Sequence, residues 1–151
     1  MGWIIFFISS IVIFIITKPF KNWGNLWYAG IISLPVLYII DSVLISLGAF
    51  SFQYPNPVIG ELPTLYWLSS FFGGIILVKY FPKKNVWRFP YITFSAFLFL
   101  ILELVMCFLG YFNYHNWKPI NSFFLNISGF IIVIWIWNWI NEFKFQWTLS
   151  Q

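Results

Sequence analysis

The chain holds 151 residues, of which 61% are hydrophobic and only 8% charged. A water-soluble domain carries charge on roughly a quarter of its residues; too few polar side chains exist here to coat a globule, so lipid is the expected solvent for most of the surface. Twenty Phe, ten Trp and eight Tyr suit membrane and interfacial positions, and the basic residues behind the net charge of +4 punctuate apolar runs rather than forming a nucleic-acid surface.

A spanning helix needs about 20 mostly apolar residues, and five stretches qualify. The first, residues 2–17, is apolar from its start and is followed by Lys18 and Lys21. A cleavable leader has the reverse layout, so a retained helix of near-minimal length is expected. The second, residues 26–50, contains Pro35 and Asp41; the proline should kink it and free a carbonyl one turn earlier. The third, residues 64–81, opens after Pro63, and the fourth, residues 91–112, opens after Pro90 and contains Glu103. Proline is tolerated in a first helical turn, where the N–H has no partner to lose. The fifth is residues 122–140. Strands of a barrel would alternate apolar and polar residues, whereas FSAFLFLILELVMCFLGYF is apolar on every face. The expected fold is all-α: one domain over residues 1–151, a polytopic bundle of five transmembrane helices. No internal repeat and no soluble module is expected.

Orientation follows from the basic residues. With the N-terminus outside, the inner segments carry Lys18, Lys21, Lys79, Lys83, Lys84, Arg88 and Lys144, and the outer segments carry only Lys118. Positive residues stay on the cytoplasmic side, so the C-terminus is expected inside. The run KYFPKKNVWR reads as a topology determinant and a contact for anionic headgroups. Three tryptophans in WIWNWINEF suit an aromatic belt. SSFFGG pairs Ser69 with Gly73 and Ser70 with Gly74, a spacing that lets helices approach closely.

Two acids stand inside spans. Asp41 and Glu103 are expected at similar depth, near the midplane toward the outer half, where a charge facing lipid costs roughly 2.5–3.5 kcal/mol. No Lys or Arg lies within a span to pair with them. Buried without a cation, at least one is expected to hold its proton at neutral pH. Tyr38, three positions before Asp41, is expected to reach its carboxylate. Glu61, His115 and Asn126 fall on the outer side by the same orientation and form a candidate polar mouth above the acids. Against a functional role, Asp41 and Glu103 serve equally well as helix–helix glue; Glu61 suits the positive end of the third helix; and Asn126-Ile127-Ser128 is a glycosylation triplet inside a span. A lone histidine with no cysteine cluster makes no metal site, and single Cys107 makes no intramolecular disulfide.

The loop IGELPTLYW, the run LVKYFPKK, a helix with a central glutamate, and YFNYHNWKPINSFF together resemble a group of small uncharacterised multi-spanning membrane proteins of Gram-positive, often spore-forming, bacteria. The resemblance implies a bacterial cytoplasmic membrane and no assigned activity. Three classes of function follow from the residues: an integral membrane protein in a structural or accessory role, a small proton-coupled transporter or permeation unit using Asp41 and Glu103, and an intramembrane acid/base enzyme. The first is favoured on general grounds. The last has least support, because no catalytic dyad, cofactor motif or metal-ligand cluster is present. Expected partners are the bilayer and a membrane-protein partner or second copy; nucleic acid is not among them, and no cofactor is expected.

Overall fold

The computed structural model describes residues 2–18, 23–53 and 57–149, with the side chains of residue 23 and residues 143–149 excepted. Lys21, counted above among the inner basic residues, lies outside that set, as does the side chain of Lys144. Five helices carry the described chain: α1 (Gly2–Ile16), α2 (Trp23–Ser46), α3 (Thr64–Lys79), α4 (Asn85–Phe108) and α5 (Pro119–Leu149). Three of them hold stretches long and apolar enough to cross a membrane: Gly24–Ser46, Asn85–Phe108 and Pro119–Glu142. α1 and α3 are apolar but have only 15 and 16 residues. At about 1.5 Å per residue each falls several ångströms short of a ~30 Å hydrocarbon core.

α4 starts at Asn85, so Pro90 lies inside it rather than opening it as the sequence suggested. The polar turn before Pro90 is helical, and the proline leaves the Val86 carbonyl without its usual donor. α2 and α3 pack most closely. A methyl group on Gly74 would stand 2.6 Å from the Ala29 carbonyl oxygen and from Ser33 Oγ, and one on Gly30 would stand 2.6 Å from the Phe71 ring. Ser70 and Gly74 of SSFFGG therefore face α2 within the chain, and the Ser33 hydroxyl meets the Ser70 carbonyl. Gly73 faces open space.

The short strands were not expected. β1 (Phe50–Phe52) pairs antiparallel with β4 (Phe112–Tyr114), tying the segment after α2 to the segment after α4, and β2 (Val58–Ile59) pairs with β3 (Leu62–Pro63) ahead of α3. Backbone amides leaving a helix need partners wherever water is scarce, and the ribbon supplies them.

The chain also repeats itself, against the expectation of no internal repeat. Asp41, Val43, Leu47, Gly48, Phe50 and Phe52 recur 62 positions later as Glu103, Val105, Leu109, Gly110, Phe112 and Tyr114. Both copies end their helix in the same way. Gly48 and Gly110 adopt φ of +71° and +76°. Ala49 N–H then bonds Leu44 O, and Tyr111 N–H bonds Met106 O, each at 2.9–3.0 Å. This is the glycine-centred helix stop, for which a side chain is sterically costly. In the ribbon Ser51 faces Asn113, its own equivalent, while Phe50 faces Tyr114 and Phe52 faces Phe112. When the copies are exchanged the Ser51–Asn113 pair maps onto itself and the two flanking pairs map onto each other, so a local two-fold axis passes between Ser51 and Asn113. The units α2–β1–α3 and α4–β4–α5 are thus parallel repeats, and α1 stands outside the symmetry, packed on α3. The repeat escapes a sequence reading because its matched positions lie at intervals among interchangeable apolar residues.

Two cores divide the bundle by height. The end carrying Lys79, Lys83 and Arg88 is filled by aliphatic residues, among them Leu26, Ala29, Ile75, Val78 and Val133. The strand end is filled largely by aromatic residues, including Trp3, Phe50, Phe52 and Phe112.

Candidate functional site

Asp41 and Glu103 each stand seven residues before the glycine that stops their helix. That spacing places both about 10 Å below the glycine, on two helices related by the local axis. The two carboxyl groups line one cavity just beneath the β1–β4 ribbon.

Each acid takes a hydrogen bond from the next helix of its own repeat. Tyr66 Oη donates to Asp41 Oδ2 at 3.0 Å, and Ser122 Oγ donates to Glu103 Oε1 at 2.9 Å. Both donors stand three residues after the proline at the start of their helix, Pro63 and Pro119. The repeat therefore extends to the acids' partners. Trp117 Nε1 donates in turn to Ser122 Oγ at 3.0 Å. Tyr38, the expected partner of Asp41, instead places its hydroxyl beside Gly60 in the β2–β3 turn. Helical spacing alone favoured Tyr38; the packing of α3 on α2 selects Tyr66.

The two sites differ in completeness. Asp41 is 7% exposed. Glu103 is half-buried, and its Oε2 has no hydrogen-bond partner among protein atoms, although the Tyr114 hydroxyl and Asn126 Nδ2 approach it. Those two atoms are buried and unpartnered as well. Burial, and then the nearby charge of Glu103, pushes the Tyr114 phenol above its ordinary range.

The cavity is about 30 Å³, room for about two water molecules. Its polar wall is Asp41, Tyr66, Glu103 and Asn126, and most of the rest is aromatic: Trp3, Phe6, Phe50, Phe52, Phe99 and Phe112. No Lys or Arg lines it. Trp3 seals the strand end, donating from Nε1 to the Gln53 carbonyl at 3.0 Å and packing edge-on against Phe52 and Tyr66.

Of the outer polar group, Asn126 joins the acids in the cavity. His115 lies on the ribbon, its Nε2 2.8 Å from Ser51 Oγ. Glu61 is exposed in the β2–β3 turn. Neither His115 nor Glu61 lines the cavity, so the two do not join the acids. Residues that the sequence reading passed over are Tyr66, Ser122, Tyr114 and Trp3. The signal for the first two was present as a proline followed by a hydroxyl residue three positions on, after each strand. Among the described residues no group of three or more His, Cys, Asp or Glu is placed to hold a metal.

No family model, curated protein or solved structure matches the chain.

Proposed function

We propose that the chain is a five-span protein of a bacterial cytoplasmic membrane, N-terminus outside, in which Asp41 and Glu103 form an intramembrane proton-binding pair serving a small proton-coupled permeation unit. The membrane reading rests on the three long apolar helices; the five spans and the orientation rest on the apolar character of α1 and α3 and on the bias of basic residues. A groove lined by Lys79, Lys83 and Arg88 with Trp137 would then face the anionic headgroups of the inner leaflet. The bacterial assignment rests on the resemblance described above.

The proton reading is carried by one observation. A carboxylate oxygen, a phenol and a carboxamide approach one another, buried and without a well-formed hydrogen bond, beside a second carboxyl group, and no cation lines the cavity. A polar core kept only for structure satisfies its groups, because each unpaired one costs about 1–3 kcal/mol. Titratable groups reach the pair from two further elements, Tyr66 of α3 and Tyr114 of β4; the cavity wall from α1 and α5 brings Trp3, Phe6, Leu125 and Asn126, none of which titrates.

In vesicles carrying the purified protein and an imposed pH gradient, the parent should collapse the gradient faster than protein-free vesicles. Asp41→Asn and Glu103→Gln should each slow that collapse severalfold. Parent-like rates in both variants would end the proposal. A structural or accessory role keeps one observation in its favour: the cavity is closed by aromatic residues on one side and by an aliphatic core on the other. It expects the same substitutions to lower thermal stability in detergent and leave proton flux untouched.

A further inference from the structure

We propose that the cavity between Asp41 and Glu103 receives the head of a primary alkylammonium ion, which enters from the bilayer through the seam between α1 and α4. This rests on the reading of the acids as a proton-binding pair and names the class of solute they would serve.

Three features of the cavity point to that chemistry. Its charge is one-sided, with two carboxyl groups and no lining cation. Its remaining wall is aromatic, and ring faces attract a desolvated ammonium by about 0.5–2 kcal/mol each. Trp3, Phe6, Phe52, Tyr66 and Phe112 all border it. Its unsatisfied atoms also match the ion. A primary ammonium carries three N–H donors, as a lysine does. On the wall Glu103 Oε2 is an open acceptor, Asn126 supplies a second by turning its amide so that oxygen replaces nitrogen, and the Asp41 carboxyl group offers a third. A metal ion lacks N–H donors and carries no alkyl tail to leave between the helices. The volume, room for about two waters, fits a nitrogen and its first carbon.

The tail needs a way out, and the packing provides one. α1 packs on α3 and α4 packs on α5, but α1 and α4 make few contacts with each other. The local two-fold axis explains the gap. α2 packs directly on α5, whereas the equivalent approach of α4 to α3 is displaced, with Trp3 and Phe6 of α1 at the cavity edge. On the α4 side Leu102 lines the cavity while remaining 46% exposed. A side chain that is at once cavity wall and outer surface marks where the two meet. In a bilayer that surface faces acyl chains, the natural surroundings of an alkyl tail.

Entry of the ion is an exchange with no redox step. Its positive charge replaces a proton on the pair, and that proton leaves to the medium. Binding must therefore weaken as pH falls.

The test is calorimetric titration of the detergent-solubilised full chain with n-hexylammonium chloride at pH 8, with n-hexanol as the neutral ligand of equal tail and empty micelles as blank. The ammonium should bind at least tenfold more tightly than the alcohol, and lowering the pH from 8 to 5 should weaken it at least tenfold while leaving the alcohol unchanged. Equal affinities for the two ligands in the parent protein, or an ammonium affinity indifferent to pH, would overturn the inference without recourse to any variant. Glu103→Gln should abolish the preference for the charged ligand, and a retained preference in a monodisperse variant would overturn it too. Leu102→Trp should slow association severalfold, and unchanged kinetics would remove the seam. Proton flux in vesicles that persists in a protein blind to hexylammonium sinks this inference alone; loss of the carboxyl dependence of that flux sinks the reading beneath it.

Discussion

The two repeats begin from the same local instructions and finish in different states. α2–β1–α3 is tightly closed: Gly30 and Gly74 bring α2 and α3 into backbone contact, Asp41 is buried, and Tyr66 caps its carboxylate. α4–β4–α5 is looser: Glu103 is half-buried and leaves an oxygen open, and Asn126 and Tyr114 stand beside it unpartnered. The difference lies in the packing face of the second helix. Where α3 offers glycine and serine to α2, the position in α5 equivalent to Gly74 is Phe130. Small residues let helices approach and exclude everything else; a bulky one holds them apart. The comparison assigns Asp41 to the fixed half and Glu103 to the exchangeable half.

The strongest way to break that contrast is to fill the tight interface. Gly74→Ala places a methyl against a backbone carbonyl that cannot turn away, and overpacking of this kind typically costs about 1–3 kcal/mol. Gly129→Ala in α5 meets only the tip of Ile40 at 3.6 Å and should be neutral or stabilising by up to about 1 kcal/mol, since alanine favours helix. Thermal unfolding of the two variants in one detergent compares them directly, and equal losses would erase the tightness assigned to the α2–α3 interface.

Next in size are the acids' donors. Ser122→Ala strands both Glu103 Oε1 and Trp117 Nε1, whereas Tyr66→Phe strands only Asp41 Oδ2. Each lost partner of a buried group costs about 1–3 kcal/mol. In the fixed half that cost should appear fully as lost stability. In the exchangeable half it should be partly relieved by rearrangement of Asn126, so that Ser122→Ala is no worse than Tyr66→Phe despite breaking two bonds. A markedly larger loss for Ser122→Ala would show that Glu103 is held as rigidly as Asp41.

The helix stops test the symmetry itself. Gly48 and Gly110 share the left-handed conformation and face open space. Replacing either by alanine should cost about 1–2 kcal/mol, equally in both halves. Unequal costs would mean that the repeats diverge already at the ribbon.

The smallest effect is at high pH. Tyr114 keeps its proton above the ordinary phenol value of 10.0 because burial and the Glu103 charge disfavour the phenolate. Above that pH the unfolded chain releases a proton that the folded chain retains, so stability conferred by this group is present below pH 10 and declines as pH rises beyond it. Ultraviolet titration of the parent against Tyr114→Phe should show that the tyrosine removed is a late-ionising one, and Glu103→Gln should bring Tyr114 toward the ordinary range. A Tyr114 that titrates with the exposed tyrosines would place its phenol in water.

Much of the site was legible before folding was considered. Asp41 and Glu103 stood out because a carboxyl group among apolar residues has few tolerable environments, and matched depth followed from helical rise. Tyr66, Ser122 and the repeat were not read, because a donor on another helix is chosen by which faces meet. Tyr38 satisfied every local criterion for pairing with Asp41 and still turned to Gly60. The polar mouth divided for a similar reason. Asn126 lies within α5 and turns with it into the cavity, whereas His115 follows β4 and Glu61 sits in the exposed β2–β3 turn.

Composition and the spacing of apolar runs determined by themselves that this chain folds as apolar helices, three of them long enough to cross a membrane, since backbone amides in apolar surroundings must bond within their own segment. They also determined where the acids fall along their helices. Tertiary structure alone decided that the acids share a cavity, that one is the more deeply buried and the other keeps an open oxygen, and that aromatic rings close over both. Those outcomes depend on how near two helices come, and that distance is set by side-chain volumes summed across an interface, a quantity with no expression along a single strand of sequence.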